Sequence, residues 1–121
     1  MSIHPTSIID PSAKIASDVQ IGPFCTIGED VQIESGSTII SHAVIKGPTV
    51  IGKNNCIYQF STIGDDTPDK KFKGEKTKLI IGNNNIFREG VTIHRGTTQD
   101  ESVTTIGSVS YTHLRAHETS L

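Results

Sequence analysis

The chain has 121 residues, a formal net charge of −2 and 34% hydrophobic residues, the size of one domain or a piece of one. It has no basic run and no apolar stretch of spanning length, which argues against a nucleic-acid partner and a membrane span. No signal peptide opens the chain, so a cytoplasmic protein with reduced Cys25 and Cys56 is expected.

Isoleucine recurs at every sixth residue from the start: Ile3, Ile9, Ile15, Ile21, Ile27, Ile33, Ile39, Ile45, Ile51, Ile57 and Ile63. Ile81 and Ile93 resume the register, with Phe87 between them. The chain holds 18 isoleucines, so eleven consecutive hits by chance are on the order of one in a billion. A period of six is neither the 3.6 of a helix nor the alternation of a single strand; it marks a hexapeptide β-solenoid. Ile, stiff at χ1, suits a pleated wall.

The other positions of the hexad have their own preferences. The fifth carries small or branched residues: Ala13, Val19, Cys25, Val31, Ser37, Ala43, Thr49, Ser61 and Val91. The fourth carries turn formers, Asp18, Asp30, Gly36, Asn54, Asn84 and Gly90, which tolerate left-handed dihedrals at a corner. Gly22, Gly28, Gly52, Gly64 and Gly82 occupy the second. Three hexads predict one triangular turn of 18 residues, and turns stack as parallel strands roughly 4.8 Å apart. No turn buries its own apolar face, so stability comes from stacking. Handedness does not follow from the pattern; the general crossover rule favours a right-handed connection.

Two segments leave the hexad. Asp65 to Lys78, DDTPDKKFKGEKTK, is charged and lacks inward hydrophobes, so a loop projecting from the prism is expected at about 65–78, one coil's length spent outside it. The tail, Val109 to Leu121, is expected to carry nothing in the six-residue spacing after Ile106-Gly107 opens a unit. A boundary follows, with a solenoid at 1–108 and a tail at 109–121 that reads as foreign sequence.

Among the histidines, His4 and His42 read as surface residues, His42 at a corner. His94 follows inward Ile93 in the run VTIHRGT and is expected to point outward beside Arg95. That pair suits a phosphate or polar substrate, or acid–base work near neutral pH. His113 and His117 have the spacing of a metal pair, but two ligands without a third do not make a site.

The runs IGPFCTIG, NNCIYQFSTIGDD, DKKFKGEKT, IGNNNIFRE and TIHRGT together resemble the acyl-[acyl-carrier-protein]–UDP-N-acetylglucosamine O-acyltransferases of lipid A biosynthesis, N-terminal half only. The resemblance covers Ile3 to Ser108. It implies an all-β, left-handed parallel β-helix, here truncated, in a homotrimer with active sites between subunits. It implies transfer of an (R)-3-hydroxyacyl chain from acyl carrier protein to the 3-hydroxyl of UDP-N-acetylglucosamine. The acyl donor is the carrier's phosphopantetheine thioester, and no metal or separate cofactor is implied. By resemblance Asp69, Lys71 and His94 contact substrate. A carboxylate accepts from sugar hydroxyls, and a lysine neutralises phosphate charge.

The family's general base lies beyond TIHRGT. Counted without gaps it falls at Ser120, with a neighbouring family histidine at His117. Serine cannot replace an imidazole base near neutral pH, so this chain alone is expected to be inactive, with no catalytic residue of its own. An open coil edge would also leave backbone groups unpaired, so uncontrolled self-association is expected. Three rivals share the fold: another hexapeptide acyl- or acetyltransferase, which TIHRGT argues against; a γ-type carbonic anhydrase, which needs three converging histidines; and a non-catalytic β-solenoid. Thr26, Thr38, Thr49, Thr62 and Thr92 are not expected in one column, as a lattice-binding face would require.

Overall fold

The computed structural model describes residues 2–65, 78–95, 103–107 and 111–112. In each hexad the fifth and first positions lie two apart, so both side chains point inward while the sixth, between them, points out. The strands are correspondingly short. The first coil comprises β1 (Ser2–Ile3), β2 (Ile8–Ile9) and β3 (Lys14–Ile15). The second has β4 (Gln20–Ile21), β5 (Thr26–Ile27) and β6 (Val31–Ile33). The third has β7 (Thr38–Ile39), β8 (Val44–Ile45) and β9 (Thr49–Ile51). The fourth has β10 (Cys56–Ile57), β11 (Thr62–Asp65) and β12 (Lys78–Ile81). Then follow β13 (Ile86–Phe87), β14 (Thr92–His94), β15 (Val103–Ile106) and β16 (Tyr111–Thr112).

These strands form three all-parallel sheets. Sheet A runs β1-β4-β7-β10-β13-β16, sheet B β2-β5-β8-β11-β14, and sheet C β3-β6-β9-β12-β15. The expected isoleucine columns are present. Ile21, Ile39, Ile57 and Phe87 line sheet A; Ile27, Ile45, Ile63 and Ile93 line B; Ile33, Ile51, Ile81 and Ile106 line C; all are buried. Each contributes roughly 1.5–3 kcal/mol by burial. Ile3, Ile9 and Ile15 of the first coil are only partly covered, since the described coils stack on them from one side.

Coils pair in steps of 18 up to Ile63, as in Ile45↔Ile63. The step from Ile51 to Ile81 is 30, so the excursion after Asp65 adds 12 residues, two hexads. That corrects the full coil's length expected above: β12 uses the third hexad to complete the fourth coil. A second departure was not foreseen. Ile81 pairs with Ile106, a step of 25, so seven further residues enter between β14 and β15. Both insertions fall between a strand of sheet B and the next strand of sheet C; the projecting loop expected at about 65–78 lies, beyond its two ends, outside the described residues. The tail differs from expectation too. Thr112 stands six after Ile106 and pairs with Phe87, so the spacing persists with threonine in the isoleucine position.

Each edge has its own chemistry. At the C/A edge a polar ladder replaces apolar packing. The Ser37 hydroxyl donates to the Gly52 carbonyl at 2.8 Å, and the Asn55 amide donates to the Ser37 Oγ at 3.1 Å. The Asn55 Nδ2 donates to Gly82 and the Asn85 Nδ2 to Gly107, each at 2.8 Å, while the Asn85 amide donates to the Asn55 Oδ1 at 2.8 Å. Corner φ values are positive at Asp30, Gly36, Asn54, Asn84 and Gly90, as expected, while Asp18 stays outside that region. The Asp18 carboxylate instead accepts from the Ser35 hydroxyl at 2.7 Å and the Gly36 amide at 3.0 Å. The A/B edge departs from this preference. Beside Gly90, its left-handed corners are Phe24 (φ 59°), His42 (47°) and Phe60 (63°), where an L side chain costs about 1–2 kcal/mol.

Candidate functional site

His94 is where the hexad placed it. It is the second-position residue after buried Ile93, half-buried on the outer side of sheet B. Gly64, with φ +83°, makes a bulge in β11, so Asp65 rather than Gly64 pairs with His94. A Cβ on Gly64 would strike the Lys46 carbonyl oxygen, so the bulge needs glycine. The bulge brings Asp65 beside two cationic side chains. Lys46 Nζ lies 3.1 Å from Asp65 Oδ1, and the Arg95 amide donates to the Asp65 carbonyl at 2.9 Å. The Arg95 guanidinium reaches back to the Gly47 carbonyl. Burial lowers the Arg95 pKa from its ordinary value, and the Asp65 charge opposes that. Asp65, His94 and Arg95 are all engaged by neighbours.

The arrangement sets two cations, Lys46 and Arg95, against one carboxylate, with an imidazole beside them. It makes a polar patch with two cationic side chains, suited to a hydroxyl-bearing ligand with an anionic group. It lies at the B/C edge, between the strands that the two insertions connect. Asp69 and Lys71, the other expected contacts, lie outside the described residues, as does Ser120. Lys46 and Asp65 were missed because the stacking distance was used only for the isoleucines. Eighteen residues beyond Lys46 is Gly64, and Asp65 follows it.

Other groups are separate from this patch. A shallow depression of about 470 Å³ lies on sheet A, lined by Ser2, His4, Gln20, Gly22, Thr38 and Ile40 among others. It sits on a different face from His94 and has no carboxylate or lysine. Burial pushes the Cys56 thiol up, with Arg88 opposing, which disfavours the nucleophilic thiolate. The cysteines are free. Thr26, Thr62 and Thr92 do share one outward file on sheet B, interrupted by Val44. Among the described residues no cluster of three or more His, Cys, Asp or Glu could hold a metal, and no helix is long and apolar enough to cross a membrane.

A family model described as the GMPPB C-terminal domain matches residues 2–98, the stretch that carries the regular coils. The chain belongs to that family. Its sequence is also 61% identical over 116 residues to the acyl-[acyl-carrier-protein]–UDP-N-acetylglucosamine O-acyltransferase of Saccharophagus degradans, covering 93% of this chain and 45% of that protein. The counterpart from Stutzerimonas stutzeri is 60% identical with the same coverage. The solved LpxA structure from Acinetobacter baumannii superposes with a TM-score of 0.84 at 57% identity, over 88% of this chain and 41% of that one. The resemblance to the O-acyltransferases therefore holds, and with it the left-handed parallel β-helix, against the general crossover preference. The chain spans about 45% of the length of the relatives it matches.

Proposed function

We propose that this chain is the stretch of an O-acyltransferase that builds one wall of the sugar-nucleotide site. The parent moves an (R)-3-hydroxyacyl chain from acyl carrier protein to the 3-hydroxyl of UDP-N-acetylglucosamine. The observation that carries this reading is the 61% identity across nearly the whole chain. The patch of Lys46, Asp65, His94 and Arg95 supports it, because a nucleoside diphosphate sugar is anionic and rich in hydroxyls. Asp69, Lys71 and His94 contact substrate in this reading. The parent works as a cytoplasmic homotrimer. Residues 109–121 are foreign to the parent, and the chain as it stands does not turn over, because Ser120 falls where the base belongs.

A chimera tests the proposal. Residues 3–108 of this chain replace the matching segment of the Saccharophagus degradans enzyme, and acyl transfer is followed with 3-hydroxyacyl carrier protein. Turnover comparable to that enzyme is expected, and a folded chimera without it would overturn the reading. Within the chimera, Asp69→Ala, Lys71→Ala and His94→Ala should each lower kcat/KM. The 121-residue chain should form no product above background; product would refute its inactivity.

A further inference from the structure

On sheet B the residues that follow the isoleucine column stack coil upon coil. Lys46 stands after Ile45, Gly64 after Ile63 and His94 after Ile93. A regular coil would put Gly64 between Lys46 and His94, with no side chain to offer either. The bulge at Gly64 moves the register by one, and the Asp65 carboxylate enters the file instead. Lys46 Nζ, one coil below, donates to Asp65 Oδ1 at 3.1 Å.

This ion pair is one side of a closed circuit. The Asp65 carbonyl accepts the Arg95 amide at 2.9 Å. The Arg95 guanidinium returns across two coils and donates to the carbonyl of Gly47, the residue after Lys46. Lys46 is itself anchored, because its carbonyl accepts from the hydroxyl of buried Thr49. Three coils are thus tied together beside His94. Stability does not account for the pair. Its side chains are 49% and 34% exposed, and ion pairs so open to water add little to folding. What the circuit fixes is position. His94 lies between buried Ile93 and the Arg95 amide, so its main chain is held on one side by the core and on the other by Asp65.

We propose that Lys46 and Asp65 are positioning residues for His94. The ion pair restrains Asp65, Asp65 restrains the Arg95 amide, and the imidazole between the two anchors is set in place. A contact group moved by about 1 Å can cost a large part of a reaction's rate, so a weak surface pair has leverage here that its own energy does not give. The proposal rests on the reading of His94 as a substrate contact in acyl transfer. The effect of Lys46 and Asp65 on turnover passes through that residue.

Two measurements test this. Lys46→Met and Asp65→Asn keep the size of each side chain and remove its charge, and circular dichroism on the 121-residue chain should show both folded. In each, the Arg95 amide should exchange with solvent deuterium about fivefold faster or more, while the Thr26 amide, lower on the same sheet, exchanges as in wild type. In the chimera with the Saccharophagus degradans enzyme, each variant should lower kcat/KM for the sugar nucleotide about tenfold. The double variant should lose no more than either alone, and Lys46→Arg should recover most of the loss. On a His94→Ala background, Lys46→Met should cost nothing further. A lysine that merely supported the fold, or met the diphosphate directly, would still cost activity there, and that result would overturn the inference. An Arg95 amide exchanging at the wild-type rate, or a variant that unfolds, would overturn it equally. A chimera without substitutions that transfers nothing fails the acyl-transfer reading alone, and amide exchange then decides whether the pair positions His94.

Discussion

Along the C/A edge every turn between β3 and β13 passes from one sheet to the next within a hexad, and the side chains of Asp18, Ser37, Asn55 and Asn85 bind each coil to the one above. Along the B/C edge the last two described turns take 12 and seven extra residues, yet β12 and β15 return to register. The difference teaches where such a solenoid admits change. Asn55 is buried and its carboxamide bonds to two groups of the next coil, so nothing can enter there without orphaning polar atoms. At the B/C edge the corner groups face solvent and the site residues. β12 and β15 keep register across the inserted residues because the isoleucine columns, not the turns, set it.

The largest effect should come from the core that both edges share. Phe87→Ala removes a wholly buried ring from the sheet A column and should cost about 3–5 kcal/mol in urea unfolding. A loss below 1 kcal/mol would mean that the column tolerates a cavity. Next comes Asn55→Ala, which strips the Gly82 carbonyl and the Asn85 amide of their partners. It should destabilise by about 2–4 kcal/mol, since each buried unsatisfied group costs roughly 1–3. If Asn55→Ala were neutral, the contrast between the edges would collapse.

Removing residues 66–77 sharpens the comparison from the other side. It restores the 18-residue step from Ile51 to the residue now numbered Ile81. Stability should move by less than about 1 kcal/mol, because loop closure depends weakly on length. In the chimera the same deletion should abolish acyl transfer. A deletion that unfolds the chain would show that the B/C edge also holds the coils together.

The smallest effect should be one of pH. Hydrogen bonds from Ser35 and Gly36 hold the Asp18 carboxyl below the usual carboxylate range. A folded-state pKa depressed below the unfolded one gives stability that is present above about pH 4 and fades as pH falls through the folded value. The melting temperature should drop on acidification from pH 5, and Ser35→Ala should flatten that drop. At the B/C edge Asp10 is lowered in the same direction by bonds to Ser12, two residues along its own chain. Ser12→Ala should flatten the drop less, since the larger contribution comes from the Ser12 backbone amide, which alanine keeps.

The columns and the direction of His94 were legible because both follow from spacing alone. The A/B edge was not, because propensity assigns left-handed corners to Asn, Asp and Gly, and Phe24 and Phe60 contradict it. Nor was the polar ladder, since Asn55 and Asn85 break the small-or-branched preference of the fifth position and only stacking places them inside. The Asp65 contribution to the site depended on the one-residue bulge at Gly64, which no periodicity announces. The seven-residue insertion was hidden because Ile106 seemed to open a unit of its own.

Sheet pairings join residues 18, 25 or 30 apart, or 29 at the Gly64 bulge, whatever their place along the chain. The search each new strand makes is therefore set by the girth of the tube, not by how much protein has already formed. Growth by further turns should leave the time for adding each turn nearly constant, as in a zipper. The first two turns to meet carry the kinetic barrier, and the two longer steps should be the last to close.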